Sequence, residues 1–324
     1  MLKLNANIIM MLKDIVVNAL MVINRSNNFY PNLINQFLSS GFVGDGFTCR
    51  PLRTCREDYS LCDRNAECLY SESLQSYTCN CRYGFVGDGF QCSLAPRFEG
   101  DYIMFTQGMS LLRIPFQPTK TDRGQLILTK PYQIPVGLDT DCLKGQVYWT
   151  DVAHGSINRV FYNGSTVETI ISENSSPEGI AIDWASRNLY WTDSLNDAIK
   201  VARLDGLMQK TLITDGLIDP RGIAVHPGIG KMYWTDWNRL APKIEVANMD
   251  GTMRSIFIQN DLSLPNNLAI DYEHHDLCWT DAGVKKIECV NLHGHNRRII
   301  HSPNQYPFDL TIAGDFIYWT DWDM

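Results

Sequence analysis

A tetrapeptide of an aromatic residue followed by Trp-Thr-Asp, or its near copy, occurs five times in this 324-residue chain at almost constant spacing. The copies are Tyr148-Trp149-Thr150-Asp151, Tyr190-Trp191-Thr192-Asp193, Tyr233-Trp234-Thr235-Asp236, Cys278-Trp279-Thr280-Asp281 and Tyr318-Trp319-Thr320-Asp321. Successive copies lie roughly 40–45 residues apart, the length of one four-stranded propeller blade. A fixed period means stacked copies of one unit, each burying its apolar face only against its neighbours. Recurrence in every unit also suits packing better than chemistry at a single site. Trp is expected to fill the gap between adjacent blades, and Asp to hold neighbouring backbone N–H groups.

The rest of each repeat follows one grammar. A short strand with small residues precedes the signature, as in Gly179-Ile180-Ala181-Ile182-Asp183 and Gly222-Ile223-Ala224-Val225-His226. The Ala positions fit an innermost strand, where neighbours crowd towards the axis. A third strand follows the signature, as in Ala198-Ile199-Lys200-Val201-Ala202. Asn163-Gly164, Asp205-Gly206 and Asp250-Gly251 then mark hairpin turns, because a type I′ turn needs positive φ at both central residues. Four antiparallel strands per unit, arranged radially, make an all-β propeller. Tyr102-Ile103-Met104-Phe105-Thr106-Gln107 reads as a degenerate further copy, so six blades are expected over residues 98–324. The sixth is expected to lack its two outer strands, and no segment is expected to supply the innermost strand of the first.

Seven of the ten cysteines lie between Cys49 and Cys92. Dense cysteines in a short, turn-rich segment imply disulfides and an oxidising compartment. Zinc fits poorly, since Cys79 and Cys81 are separated by one residue and no His lies among them. Gly41-Phe42-Val43-Gly44-Asp45-Gly46-Phe47 recurs as Gly84-Phe85-Val86-Gly87-Asp88-Gly89-Phe90, which marks two tandem modules. Residues 41–50 are the end of the first and 51–93 the whole of the second. The spacing of Cys55, Cys62, Cys68, Cys79, Cys81 and Cys92 resembles an epidermal-growth-factor-like (EGF-like) domain. That resemblance implies the pairs Cys55–Cys68, Cys62–Cys79 and Cys81–Cys92. So small a module cannot bury enough apolar surface alone, and the bridges must supply most of its stability. Pro51-Leu52-Arg53-Thr54 offers no carboxylate to a hard cation, so no calcium or other cofactor is expected there. In the repeat region, Cys278 and Cys289 lie on facing strands of one hairpin and are expected to form a bridge.

The formal net charge of −8 argues against nucleic acid, where a basic footprint is expected. No stretch is apolar for long enough to span a bilayer as a helix. Met1 to Ile23 comes closest, but Lys13 and Asp14 fall where a signal peptide needs an apolar run. Residues 1–40 carry no repeat and are expected to be disordered. His274-His275-Asp276 sits at a turn, where adjacent side chains diverge, and is not expected to hold a metal. Hydrolase elbows, phosphate loops and clustered metal carboxylates are absent, so no enzyme is expected. Asn163-Gly164-Ser165 and Asn174-Ser175-Ser176 are glycosylation acceptors at Asn163 and Asn174 if the chain is secreted.

One rim of the ring collects the loops entering each innermost strand and those leaving each signature Asp. They carry Glu178, Arg221, Asn266, Asn267 and Phe308 in the first set, and Trp237, Asn238 and Arg239 in the second. Aromatic, amide and charged groups converging on one concave face form a recognition surface. An EGF-like module before such a propeller resembles the low-density-lipoprotein receptor family and, more closely, the nidogen (entactin) family. Val136-Gly137-Leu138-Asp139-Thr140-Asp141-Cys142, Asp236-Trp237-Asn238-Arg239-Leu240-Ala241-Pro242-Lys243-Ile244-Glu245, Leu277-Cys278-Trp279-Thr280-Asp281-Ala282-Gly283 and Tyr306-Pro307-Phe308 carry the second resemblance over residues 41–324. It implies a secreted basement-membrane adaptor whose propeller grips an EGF-like module of the laminin γ chain. Other domains of that family connect to further basement-membrane proteins. The residues it implies at the laminin contact are Glu178, Arg221, Trp237, Asn238, Arg239 and Phe308. The competing expectation is the ectodomain of an endocytic or signalling receptor with the same module pair.

Overall fold

Each signature becomes the second strand of a sheet, with its Trp sealed against the preceding sheet. The computed structural model describes residues 102–322, apart from 117, 120, 121, 174, 303 and 304, and most of 54–94. Nearer the N-terminus it describes the strands Ile9–Val16, Leu20–Ile23, Phe42–Gly44 and Cys49–Pro51. Two compact units result, one of Met1–Asn24, Gly100–Asp141 and Gln146–Met324, the other of Arg25–Glu99 and Cys142–Gly145.

In the larger unit the second sheet runs Pro135–Asp141, Gln146–Asp151, Ser156–Phe161 and Glu168–Ser172 in sequence order. Sheets beginning at Pro177, Pro220 and Pro265 repeat that order. The first sheet places Leu20–Ile23 beside Tyr102–Gln107, then Ser110–Pro115 and Gln125–Thr129. Each innermost strand packs on the next, and Leu20–Ile23 touches both Pro135–Asp141 and Pro307–Ala313, so these strands circle a common axis.

Two expectations change here. The four-stranded blades number five, not six: Pro307–Ala313 and Phe316–Asp321 are joined by Ile9–Val16, which runs parallel to Phe316–Asp321 in a three-stranded sheet. Within the segment expected to be disordered, Ile9–Val16 supplies that strand and Leu20–Ile23 the innermost strand of the first sheet. An open sheet edge offers unpaired N–H and C=O groups, and any extended apolar segment within reach satisfies them. Leu20–Ile23 is a short continuous apolar run, which carries no alternation to betray a strand.

The signature residues hold the ring at three levels. Trp149, Trp191, Trp234, Trp279 and Trp319 are all at most 2% exposed, packed in clusters that draw on neighbouring sheets. The Thr hydroxyls act as relays. Thr235 Oγ1 accepts from the Gly222 amide at 2.8 Å in its own sheet and donates to the Asn266 carbonyl of the next at 2.7 Å. Thr150 and Thr280 donate likewise to the carbonyls of Glu178 and Phe308, both at 2.8 Å, and Thr192 donates to that of Arg221. The innermost strands approach so closely that a Cβ at Gly137 would lie 2.3 Å from the Glu178 carbonyl oxygen. The Asp carboxylates tie loops together: Asp281 accepts from the amides of Ser263, Leu264, Gly283 and Val284 at 2.8–3.1 Å.

The fifth blade replaces the signature Tyr with a bridge, Cys278–Cys289, both members buried. It packs with Leu310 and Trp319 of the following sheet. In the smaller unit, Ala66–Ser71 pairs with Ser76–Cys81, and disulfides join Cys55 to Cys68 and Cys62 to Cys79. Cys92 is disulfide-bonded too, while the Cys81 side chain expected to pair with it lies outside the described residues. Among the described residues of this unit only Cys55, Ala66 and Cys79 are buried apolar side chains, so covalent bridges stand in for a core. Gly89 has φ of 86°, and a Cβ there would lie 2.1 Å from the Cys79 carbonyl oxygen. The repeated Gly-Asp-Gly-Phe phrase therefore needs its second Gly.

Candidate functional site

Every innermost strand from the second sheet onwards begins with Pro, and the residue after that Pro faces a shared depression. Val136, Glu178, Arg221, Asn266 and Phe308 occupy this one register position in five consecutive sheets. With Gly137, Gly179, Gly222 and Asn267 they line a shallow depression where the innermost strands begin. Four of the five carbonyls at this position are those gripped by the Thr relays. The repeated scaffold therefore fixes the backbone from which the varied side chains project.

Arg221 is the hub. Its guanidinium meets Glu178 at 2.8 Å and Asp219 at 3.0 Å, and lies 4.3 Å from the centre of the Trp237 ring. Trp237 is fixed in turn, its indole N–H donating to the Pro265 carbonyl at 2.8 Å. Glu178 accepts from the Ser194 hydroxyl at 3.0 Å and is only 8% exposed. Two buried polar atoms here have no protein partner, Arg221 Nε and Asn266 Oδ1. A donor and an acceptor are thus left at the wall of the depression. Phe308 stands two sheets on from Arg221, half-buried, its ring 5.1 Å from that of Trp322.

Glu178, Arg221, Trp237 and Phe308 therefore come together, and the other two rim residues differ from them. Asn238 is a turn residue, its side-chain oxygen accepting from the amides of Leu240 at 3.1 Å and Ala241 at 3.3 Å. Arg239 is exposed and makes no hydrogen bond or ion pair among the described residues. Sequence reasoning placed Asn266 on the rim without singling it out for the contact and passed over Val136, although its place directly after a strand-opening Pro was the signal that would have found it. His274 pairs with Asp271 at 2.8 Å and Asp276 with Arg298 at 2.6 Å, so two of the three residues in this run are engaged in local contacts. Asn163 is exposed in its turn, while Asn174 lies outside the described residues.

The chain matches the low-density lipoprotein receptor repeat class B over residues 145–184, 187–227 and 230–272, and an EGF domain over 55–92. Its class is thus an EGF-like module followed by a class B repeat propeller. It is 38% identical to Nidogen of Drosophila melanogaster over 280 residues, 86% of this chain and 20% of that protein. It is 43% identical to Nidogen-2 of Mus musculus over 233 residues, 71% of this chain and 17% of that protein. Among solved structures, a chain in the crystal structure of a nidogen/laminin complex is 41% identical, with a TM-score of 0.65, covering 68% of this chain and 86% of that one. The chain belongs to the nidogen family. It spans about a fifth of the length of these two nidogens.

Proposed function

We propose that this chain is a non-enzymatic adaptor of the extracellular matrix, secreted into basement membranes, that grips an EGF-like module of the laminin γ chain at the mouth of the propeller. The support is the hub itself, with Arg221 clamped by Glu178, Asp219 and Trp237 and its Nε left without a partner beside the depression. A guanidinium held in this way meets a carboxylate or amide of a partner with little entropy left to lose. The apolar side of the contact falls to Phe308 and the exposed edge of Trp237, and Arg239 reaches solvent to add charge at the border. No cofactor is needed for such recognition. The structural relative is a nidogen/laminin complex, which favours the adaptor over the receptor ectodomain.

The test is binding of the full chain to a recombinant laminin γ EGF-like module by surface plasmon resonance. Arg221→Glu is expected to weaken binding by tenfold or more, on the order of 2 kcal/mol, as for a centrally placed anchor. Unchanged affinity in a variant that keeps its cooperative unfolding would remove this face from the reading.

A further inference from the structure

The innermost strands leave the rim and end on the opposite face of the larger unit, where a second set of groups gathers. Trp184 directly follows the innermost strand of the third sheet, and Tyr272 that of the fifth. Their rings meet edge to face at 5.4 Å, spanning the end of the fourth sheet. There His226 packs its ring 5.0 Å from that of Tyr272, whose hydroxyl donates to the Val225 carbonyl at 2.8 Å. The two large rings are nevertheless half open to solvent, Trp184 at 51% and Tyr272 at 46%.

Beside them stands Asp139, at the strand position where the next three sheets carry Ala181, Ala224 and Ala269. Its oxygens accept from the amides of Ile182 and Thr140, both at 2.6 Å. No Lys or Arg among the described residues pairs with it; the nearby Arg187 is committed to Asp141. Burial pushes the Asp139 carboxyl up to about 7, against the pull of those two amides, and Asp141 adds to the rise. Tyr272 is raised by burial first and then by the charges of Asp139 and Asp183. His226 is nine-tenths buried, and neither ring nitrogen has a hydrogen-bond partner. Burial lowers its pKa, and the nearby His275 adds to that.

The groups on this face are thus acceptors and ring faces, with a carboxylate lacking a counter-cation. An aromatic surface over an uncompensated carboxylate is the arrangement that attracts an organic cation. We propose that this second face receives a basic side chain, a lysine or arginine of a partner protein, lying across Trp184 and Tyr272 with its charge directed to Asp139. An acidic chain of net charge −8 has the overall field to attract such a segment. This contact is separate from the laminin rim and stands whether or not that reading does.

The test is a nuclear magnetic resonance titration of the full chain, following the Trp184 indole N–H, assigned by its loss in Trp184→Phe. The probes are capped Gly-Lys-Gly, Gly-Arg-Gly and Gly-norleucine-Gly peptides and butylammonium. The Lys and Arg peptides are expected to bind at least about tenfold more tightly than the norleucine peptide. Asp139→Asn is expected to remove most of that difference. If that variant fails to fold because Asp139 holds two amides, Tyr272→Leu replaces it, with roughly threefold weaker binding of the Lys peptide expected. Equal binding of the norleucine peptide would show an apolar patch only. Binding of butylammonium without the capped peptides would point to a free amine instead of a partner's side chain, and either result overturns the proposal.

Discussion

The signature strands and the first turn of the innermost strands sit a few ångströms apart and obey opposite rules. In the signature, Thr150, Thr192, Thr235 and Thr280 each donate to the neighbouring sheet through an identical hydroxyl. At the position those hydroxyls grip, the side chains are a carboxylate, a guanidinium, an amide and a phenyl ring, in Glu178, Arg221, Asn266 and Phe308. The hydroxyls act on backbone, which every sheet has, so one residue type serves throughout. The gripped residues act on whatever lies outside, so their chemistry is free to differ. Repetition builds the frame, and departure from repetition writes the surface.

The largest break in that contrast should come from Trp234, which is fully buried between the third and fourth sheets. Trp234→Ala is expected to cost about 3–5 kcal/mol, because a void between sheets cannot collapse without moving both. Trp237→Ala, three residues away on the rim, removes a half-buried ring from Arg221 and is expected to cost only about 1 kcal/mol of stability. Urea unfolding of the two variants checks this pair. Similar losses would mean that the rim is part of the frame after all.

A finer test uses the relay. Thr235→Val keeps the shape but leaves the Gly222 amide and the Asn266 carbonyl without their partner. A loss of about 1–3 kcal/mol is expected for such buried unpaired groups, and Thr235→Ser should recover most of it. Because Asn266 lines the depression, the proposed binding to the laminin module should also weaken in Thr235→Val, though less than in Arg221→Glu. If Ser fails to restore stability, the methyl group and not the hydroxyl is what matters at this position.

The frame was far more legible in the sequence than the surface. Five Trp-Thr-Asp copies at one period establish sheets, their strand order and the burial of Trp without any three-dimensional information. The strands Ile9–Val16 and Leu20–Ile23 escaped because their pairing is decided by open sheet edges elsewhere, and nothing in their own pattern announces it. Arg221, Glu178 and Phe308 could be placed on one rim from strand order alone. That Arg221 is clamped, and that Asn238 is spent on its own turn, depends on side-chain reach across sheets, which spacing does not encode. The Trp184–Tyr272 pair was invisible for the same reason, since its members lie two repeats apart.

The smallest effect tests whether equivalent signature residues carry equivalent electrostatics. Asp193 and Asp236 occupy the same place in adjacent sheets, yet their carboxyls move in opposite directions from the ordinary value of 3.8. Burial raises both. At Asp193 it is outweighed by the Asn196 amide, the Ser176 N–H and Lys200 at 3.0 Å, so the pKa ends below 3.8. At Asp236 burial prevails over the amides of Ile218 and Asn238, with Lys243 farther off at 3.7 Å and Glu245 adding its own charge. A depressed carboxyl contributes stability that is complete above the unfolded value and lost as pH falls through the folded one. A raised carboxyl does the reverse, and its contribution declines as pH climbs from 3.8 through the folded value. Melting temperatures of Asp193→Asn and Asp236→Asn, compared with the parent chain between about pH 3 and about pH 6, separate the two. The deficit of Asp193→Asn should shrink on acidification, whereas that of Asp236→Asn should grow. Parallel curves would show that the repeat imposes one electrostatic environment on every copy, and that Lys200 and Lys243 stand equally close in solution.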